Sequence, residues 1–143
     1  MGLFSLFKRD LSNDPDLTRL RDLIVIGAAD SDYSLKENET IVDICHRQGI
    51  PVHKIETLFK IDPERIKDIH PMTLEAKGRY LRQLIEVMTV DEVCYAEEIE
   101  MLYFIARNIG FTQQQVDDEV ETFCQQAGKK KGARILTSFR KNK

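Results

Sequence analysis

Apolar positions along the chain recur three and four residues apart in two long stretches, 20–55 and 81–116, and the two stretches follow the same pattern. The first opens LRDLIVIGAADSDYSLKENETI and the second LRQLIEVMTVDEVCYAEEIEML. A shift of 61 positions, with no gap, superposes Leu20 on Leu81, Arg21 on Arg82, Leu23 on Leu84, Ile24 on Ile85 and Asp30 on Asp91. The same shift puts Glu37 on Glu98, Glu39 on Glu100, Ile44 on Ile105 and Gly49 on Gly110. In each copy an apolar helical run ends at an Asp, a short loop follows, and a second helical run opens with acidic residues and closes at a Gly. Two copies form a pair, too few for a solenoid.

Local signals set the boundaries. Asn13-Asp14-Pro15 supplies an N-cap and a first-turn proline, after which Leu17, Leu20, Leu23, Ile24 and Gly27 line one face of a helix predicted to end near Asp30. Ser34-Leu35-Lys36-Glu37 reads as a capping box, in which the Ser hydroxyl and the Glu carboxylate each accept from an orphaned backbone N–H. The helix it opens carries Ile41, Ile44 and Cys45, and Gly49 closes it in the left-handed conformation. Pro51 opens a short helix with Ile55, Leu58 and Phe59 inward, and Asp62-Pro63-Glu64 signals another with Ile66 and Ile69, broken at His70-Pro71. Thr73 begins the long helix of the second copy, predicted to bury Leu74, Leu81, Leu84, Ile85 and Met88. Its partner carries Leu102, Ile105, Ala106 and Ile109 before Gly110, and Thr112 with Gln115 forms a further capping box ahead of Val116, Val120, Phe123 and Cys124. No stretch alternates with period two. The pattern therefore predicts an all-α, single-domain bundle of about six to eight helices, built from two pseudo-twofold-related helix-loop-helix repeats. Its parts are an N-terminal segment 1–13, a helical domain 14–127 with repeats at about 17–60 and 73–127, and a basic C-terminal tail 128–143.

At 143 residues the chain is long enough for one real core, and no apolar run approaches the roughly 20 residues that span a bilayer. Cys45, Cys94 and Cys124 are far apart and lack metal-ligand or redox spacing, which fits free thiols and a cytoplasmic location. The start has no secretory signal pattern, and Leu6 stands where myristoylation requires Ser or Thr. The opening MGLFSLFKR is expected to tuck Leu3, Phe4, Leu6 and Phe7 onto the body in preference to lying on a membrane.

Charge changes the picture more than composition does. Residues 129–143 hold seven basic residues and no acidic one, so residues 1–128 set fourteen basic residues against 24 acidic ones, a net of −10. Such a body repels phosphate backbones, which argues against nucleic acid as a partner. The tail is expected to be solvated with a frayed helix; acidic protein faces and membrane headgroups are the partners its charge would fit.

The one constellation with candidate chemistry is the paired acidic loops. Asp30, Asp32, Glu37 and Glu39 in the first copy, and Asp91, Glu98 and Glu100 in the second with Glu92 beside them, offer the hard oxygen ligands that Ca²⁺, Mg²⁺ and Mn²⁺ prefer. They do not form an EF-hand. With Asp30 as position 1 of such a loop, Leu35 stands where the loop needs Gly and Ile41 where it needs the bidentate Glu. Capping and the helix dipole favour carboxylates in a first turn whatever the function, so convergence of the two loops is what separates a site from simple caps. His46, His53 and His70 share no metal spacing and have no evident Asp or Cys partner. A nucleophile elbow, a P-loop and HExxH are all absent, so no enzymatic activity is expected and no cofactor beyond a divalent cation.

Ala29-Asp30, a loop, Ser34, Glu37 and Glu39, then a helix closing at Gly49, with Asp91, Glu98 and Glu100 repeating the pattern, resembles the tellurite-resistance TerB-like family over roughly residues 15–125. The family has Gly after the Asp where this chain has Ser31 and Glu92, and Cys94 and Tyr95 replace its usual second-loop residues. The resemblance implies an all-α fold with pseudo-twofold halves and a cytoplasmic role in tellurite resistance or wider stress response in bacteria. It also implies binding of metal ions or partner proteins at the acidic loops. The alternative reading is an interaction scaffold without metal, carrying a basic tail.

Overall fold

A computed structural model describes residues 13–30, 33–62 and 65–143. The described residues are all-helical, with seven α-helices and no strand. These are α1 (Pro15–Gly27), α2 (Leu35–Gln48), α3 (His53–Lys60), α4 (Leu74–Met88), α5 (Ala96–Ile109), α6 (Gln113–Gln126) and α7 (Lys129–Asn142).

The local signals act as the sequence says. Asp14 caps α1 by accepting from Asp16 N at 3.0 Å, with Pro15 in the first turn. Thr73 caps α4 by accepting from Ala76 N at 3.2 Å, and Gly49 and Gly110 close α2 and α5 at φ 69° and 113°, angles that a side chain would strain.

The two long helices α1 and α4 form the centre. They pack on each other; α2, α3 and α5 also pack on α1, while α2, α5 and α6 pack on α4. Leu17, Leu20, Leu23 and Ile26 of α1 meet Leu81, Leu84, Ile85 and Met88 of α4 in one continuous core. Ile41, Ile44 and Cys45 close it from α2, and Leu102, Ile105, Ala106 and Ile109 from α5. All three cysteines are buried and unpaired.

Five expectations differ. Leu74 is 79% exposed, because the first residue of α4 lies beyond the packed part of the helix, and Phe59 is 68% exposed while Leu58 alone of its helix is buried. The helix expected after Asp62 goes no further than a 3₁₀ turn at Arg65, whose N–H donates to Asp62 O at 2.9 Å, and 66–73 is not helical; Pro63 and Glu64 lie outside the described residues. That linker is instead held to α1 by side chains. Thr18 Oγ1 donates to Lys67 O at 2.6 Å and accepts from Ile69 N at 3.3 Å, while Arg21 reaches Ile66 O and Asp68. His70, expected to lack a partner, has Nε2 2.9 Å from Asp22 Oδ2.

The basic tail is not frayed. It forms α7, which buries Ile135 and Phe139 against α5 and α6, because its apolar residues recur four apart on an otherwise cationic helix. The close approach needs Gly132, where an added Cβ would lie 2.0 Å from Cys124 O. The expectation that residues 1–12 tuck onto the body falls outside the described residues.

Candidate functional site

Each acidic loop leaves a long helix and enters a capped one. After α1, Ala28 takes φ −98° and ψ 3°, and Ser34 then opens α2. Ser34 Oγ accepts from Glu37 N at 3.1 Å, and Glu37 Oε2 accepts from Ser34 N at 3.1 Å, which completes the capping box. After α4, Thr89 takes the same φ −98° and ψ 3°, and Tyr95 opens α5. There Glu98 Oε1 accepts from Tyr95 N at 3.0 Å, the glutamate's half of the same box.

These caps bury their carboxylates. Glu37 is 1% exposed and Glu98 2%. Gly27 on α1 makes the first burial possible, since a Cβ there would stand 3.1 Å from Glu37 Oε2 and 3.2 Å from the Tyr33 ring. One oxygen of Glu37, Oε1, has no hydrogen-bond partner among the described residues.

The electrostatics place the loops together. Burial pushes the Glu37 carboxyl up to about 6, against the hydrogen bonds from Ser34, and the charges of Asp91 and Asp30 push the same way. Burial likewise pushes Glu98 up to about 8, helped by Asp30, Glu37 and Asp91. Residues of both loops therefore act electrostatically on the two buried carboxylates, Asp91 from an exposed position and Asp30 from a half-buried one. The charges that act most strongly on this pair, Asp30, Asp91 and, on Glu98, Glu37, are acidic. Tyr33, beside Glu37, is pushed up to about 12 by burial and by that charge, so it stays a neutral donor and gives its hydroxyl proton to Asn38 Oδ1 at 3.2 Å.

Of the seven carboxylates singled out from the sequence, Asp30, Glu37, Asp91 and Glu98 thus act on one another electrostatically, without forming a ligand set of three among the described residues. Glu39 and Glu100 are exposed on α2 and α5, and Asp32 lies outside the described residues. Glu92 takes φ 63° and turns to an ion pair with Arg134 of α7 at 2.9 Å, which lowers its pKa. The second loop is held from the same side by Ser138 Oγ, which accepts from Cys94 N at 2.9 Å, and by Asn142 Nδ2, which donates to Cys94 O at 2.7 Å.

A second polar centre was missed from sequence. Asp22, 3% exposed on α1, accepts from Tyr80 Oη at 2.6 Å and meets His70 Nε2 with the same oxygen, while Arg21 donates to the other at 3.1 Å. Burial and then the Asp22 charge raise the Tyr80 hydroxyl far above its usual range, so it remains a donor. The one available signal was an Asp at a core-facing position of α1, four residues before Ile26. These groups satisfy one another and tie the 61–73 linker to α1 and α4. Compared with models of known families, with curated proteins and with solved structures, the chain matches none.

Proposed function

We propose that the chain is a TerB-like helical domain that takes up a divalent cation at the carboxylates its two loops bring together, and that it binds without turning over a substrate. The observation that carries this reading is the use of glutamate at two buried caps. The exposed box of α6 does the same capping with neutral residues: Gln115 Oε1 accepts from Thr112 N at 2.8 Å, and Thr112 Oγ1 accepts from Gln115 N at 3.2 Å. A Gln would cap α2 and α5 as well, without the cost of burying a charge beside other acids. A carboxylate is kept where it is least favourable, and among the described residues Glu37 Oε1 is left without a donor.

The donor set is chemically suited to Ca²⁺, Mg²⁺ or Mn²⁺. Among the described residues, no three His, Cys, Asp or Glu side chains are already gathered as a ligand set, so a site would have to form on binding the ion. Glu37 and Glu98, with Asp30 and Asp91, would hold the ion. The same missing preformed set favours a second reading, in which a basic segment of a partner protein neutralises the cluster. The identical backbone angles at Ala28 and Thr89 support a pseudo-twofold relation between the halves. The cytoplasmic location and a role in tellurite or stress response rest on the family resemblance.

The test is thermal unfolding of the protein with Ca²⁺, Mg²⁺ and Mn²⁺ added separately at millimolar concentration. Binding to the native state alone raises the midpoint. No shift with any of the three removes the cation reading, and binding of a lysine-rich peptide then decides the second.

A further inference from the structure

The basic helix α7 is docked by one face and leaves the other uncovered. Ile135 and Phe139 are buried, and the hydrogen bonds from Ser138 and Asn142 to the Cys94 backbone fix the helix against the second loop. Lys130, Arg134, Thr137 and Lys141 follow one another along the opposite side, all exposed. Of the seven cations in 129–143, Arg134, Arg140 and Lys143 pair with Glu92, Glu121 and Asp117. Lys129, Lys130, Lys131 and Lys141 make no ion pair among the described residues.

Solubility does not explain this face. A body at −10 is already far from neutrality, and α7 brings the whole chain back to −3, toward the range where proteins associate. Beside the cationic stripe runs an open groove of ≈ 550 Å³, between α7 and the second loop. Val93, Ala133 and Thr137 line it, and Arg134 and Lys141 flank it.

We propose that this outward face of α7 is a docking surface for an acidic protein segment that carries at least one apolar side chain. Charge complementarity names the partner: the lysines face solvent, and the groove beside them has an apolar lining that a carboxylate-bearing segment can fill. A continuous polyanion fits less well. Asp91 and Glu92 line the same groove, and the body as a whole is acidic, so the continuous phosphates of a membrane sheet or duplex would meet repulsion there. Discrete carboxylates can align with Lys130 and Lys141 and avoid the acidic rim. Because α7 is held in place by the core, the face is preformed and the partner alone bears the ordering cost.

The probe is a fluorescent peptide of Asp, Glu and Leu, titrated with the full chain and followed by anisotropy. Saturable binding is expected, weakened at least about tenfold by Lys130→Glu with Lys141→Glu and unchanged by the exposed Lys60→Glu, which alters net charge away from α7. Raising ionic strength from 0.1 to 1 M shortens screening from about 10 to about 3 Å and should abolish it. These lysines are exposed, so the melting midpoint of the double variant should match wild type. Absence of peptide binding overturns the proposal, as does equal loss with Lys60→Glu. Preferential binding to phosphatidylserine vesicles or to duplex DNA, run in parallel, also overturns it and makes the helix a lipid or phosphate contact.

Discussion

Glu37 and Glu98 stand 61 positions apart in sequence and in one electrostatic field in the fold, each buried and each turned back onto the backbone N–H that precedes its own helix. Neither cap requires an ionisable group, yet each uses one whose neighbours are acidic. The pair therefore works against stability whenever both are ionised, and that cost is measurable.

The first prediction is that stability falls as pH rises from about 4.5 to about 8. Both carboxyls are raised above their usual 4.5, Glu37 to about 6 and Glu98 to about 8, so the folded state holds protons that the unfolded chain has released. Their contribution is fully present below 4.5 and is lost as pH passes through each folded value, Glu37 first. Glu98→Gln keeps the cap to Tyr95 N and should flatten this slope between pH 6 and 8. Unfolding midpoints in urea across that range measure it, and a slope unchanged in Glu98→Gln would show that Glu98 is ionised at no cost.

The second prediction concerns Asp22. Asp22→Ala leaves the Tyr80 hydroxyl and His70 without their acceptor in a buried space, and should cost about 3–5 kcal/mol. Tyr80→Phe removes one bond and leaves Asp22 with His70 and Arg21, so about 1 kcal/mol is expected. Chemical denaturation of the two variants checks the order, and a Tyr80→Phe loss as large as that of Asp22→Ala would show that the Asp22 carboxylate depends on the tyrosine hydroxyl alone, with His70 and Arg21 contributing little.

The helices of this fold were legible because their signals are local. Pro15, Ser34, Gly49, Thr73, Gly110 and the Thr112–Gln115 box each act within four residues of where they stand, and the apolar spacing between them fixes which face turns inward. What failed depended on distant chain. Leu74 and Phe59 satisfy the helical period and yet are exposed, because no described element covers those ends of α4 and α3. The Asp22–His70–Tyr80 contacts join three segments 48 and 58 positions apart, a separation no window can see. In the acidic loops the residue types were readable, but the burial of Glu37 was not: it depends on the bare Cα of Gly27 on another helix. The docking of α7 was hidden by its charge, since two buried residues among seven cations make a weak periodic signal.

The third prediction tests that docking. Gly132→Ala puts a methyl 2.0 Å from the Cys124 carbonyl oxygen, where backbone meets backbone and no side chain can move aside. Helices α6 and α7 must separate, at a cost of about 1–3 kcal/mol. Gly78, with nothing within 4 Å of an added Cβ, is the internal control, since Gly78→Ala in mid-helix should stabilise by up to about 1 kcal/mol. Equal midpoints for the two variants would mean that α7 does not contribute to the cooperative fold.

The fourth prediction separates the two halves of the carboxylate cluster. Asp30→Asn with Glu37→Gln removes two charges at nearly constant shape, and Gln at position 37 retains the cap to Ser34 N, as Gln115 does at Thr112. This variant should melt higher than wild type without added metal at pH 8, because the repulsion that burial amplifies is gone. It should also lose the cation-induced rise in midpoint, because Glu37 Oε1 is a buried carboxylate oxygen without a donor among the described residues. The matching change, Asp91→Asn with Glu98→Gln, should give the larger stabilisation without metal, since Glu98 is raised further, but the smaller loss of cation response. The two readouts thus move in opposite order across the pair of variants. A site held equally by both loops would make the two losses of cation response equal, and purely structural caps would leave wild type and both variants indifferent to the ion.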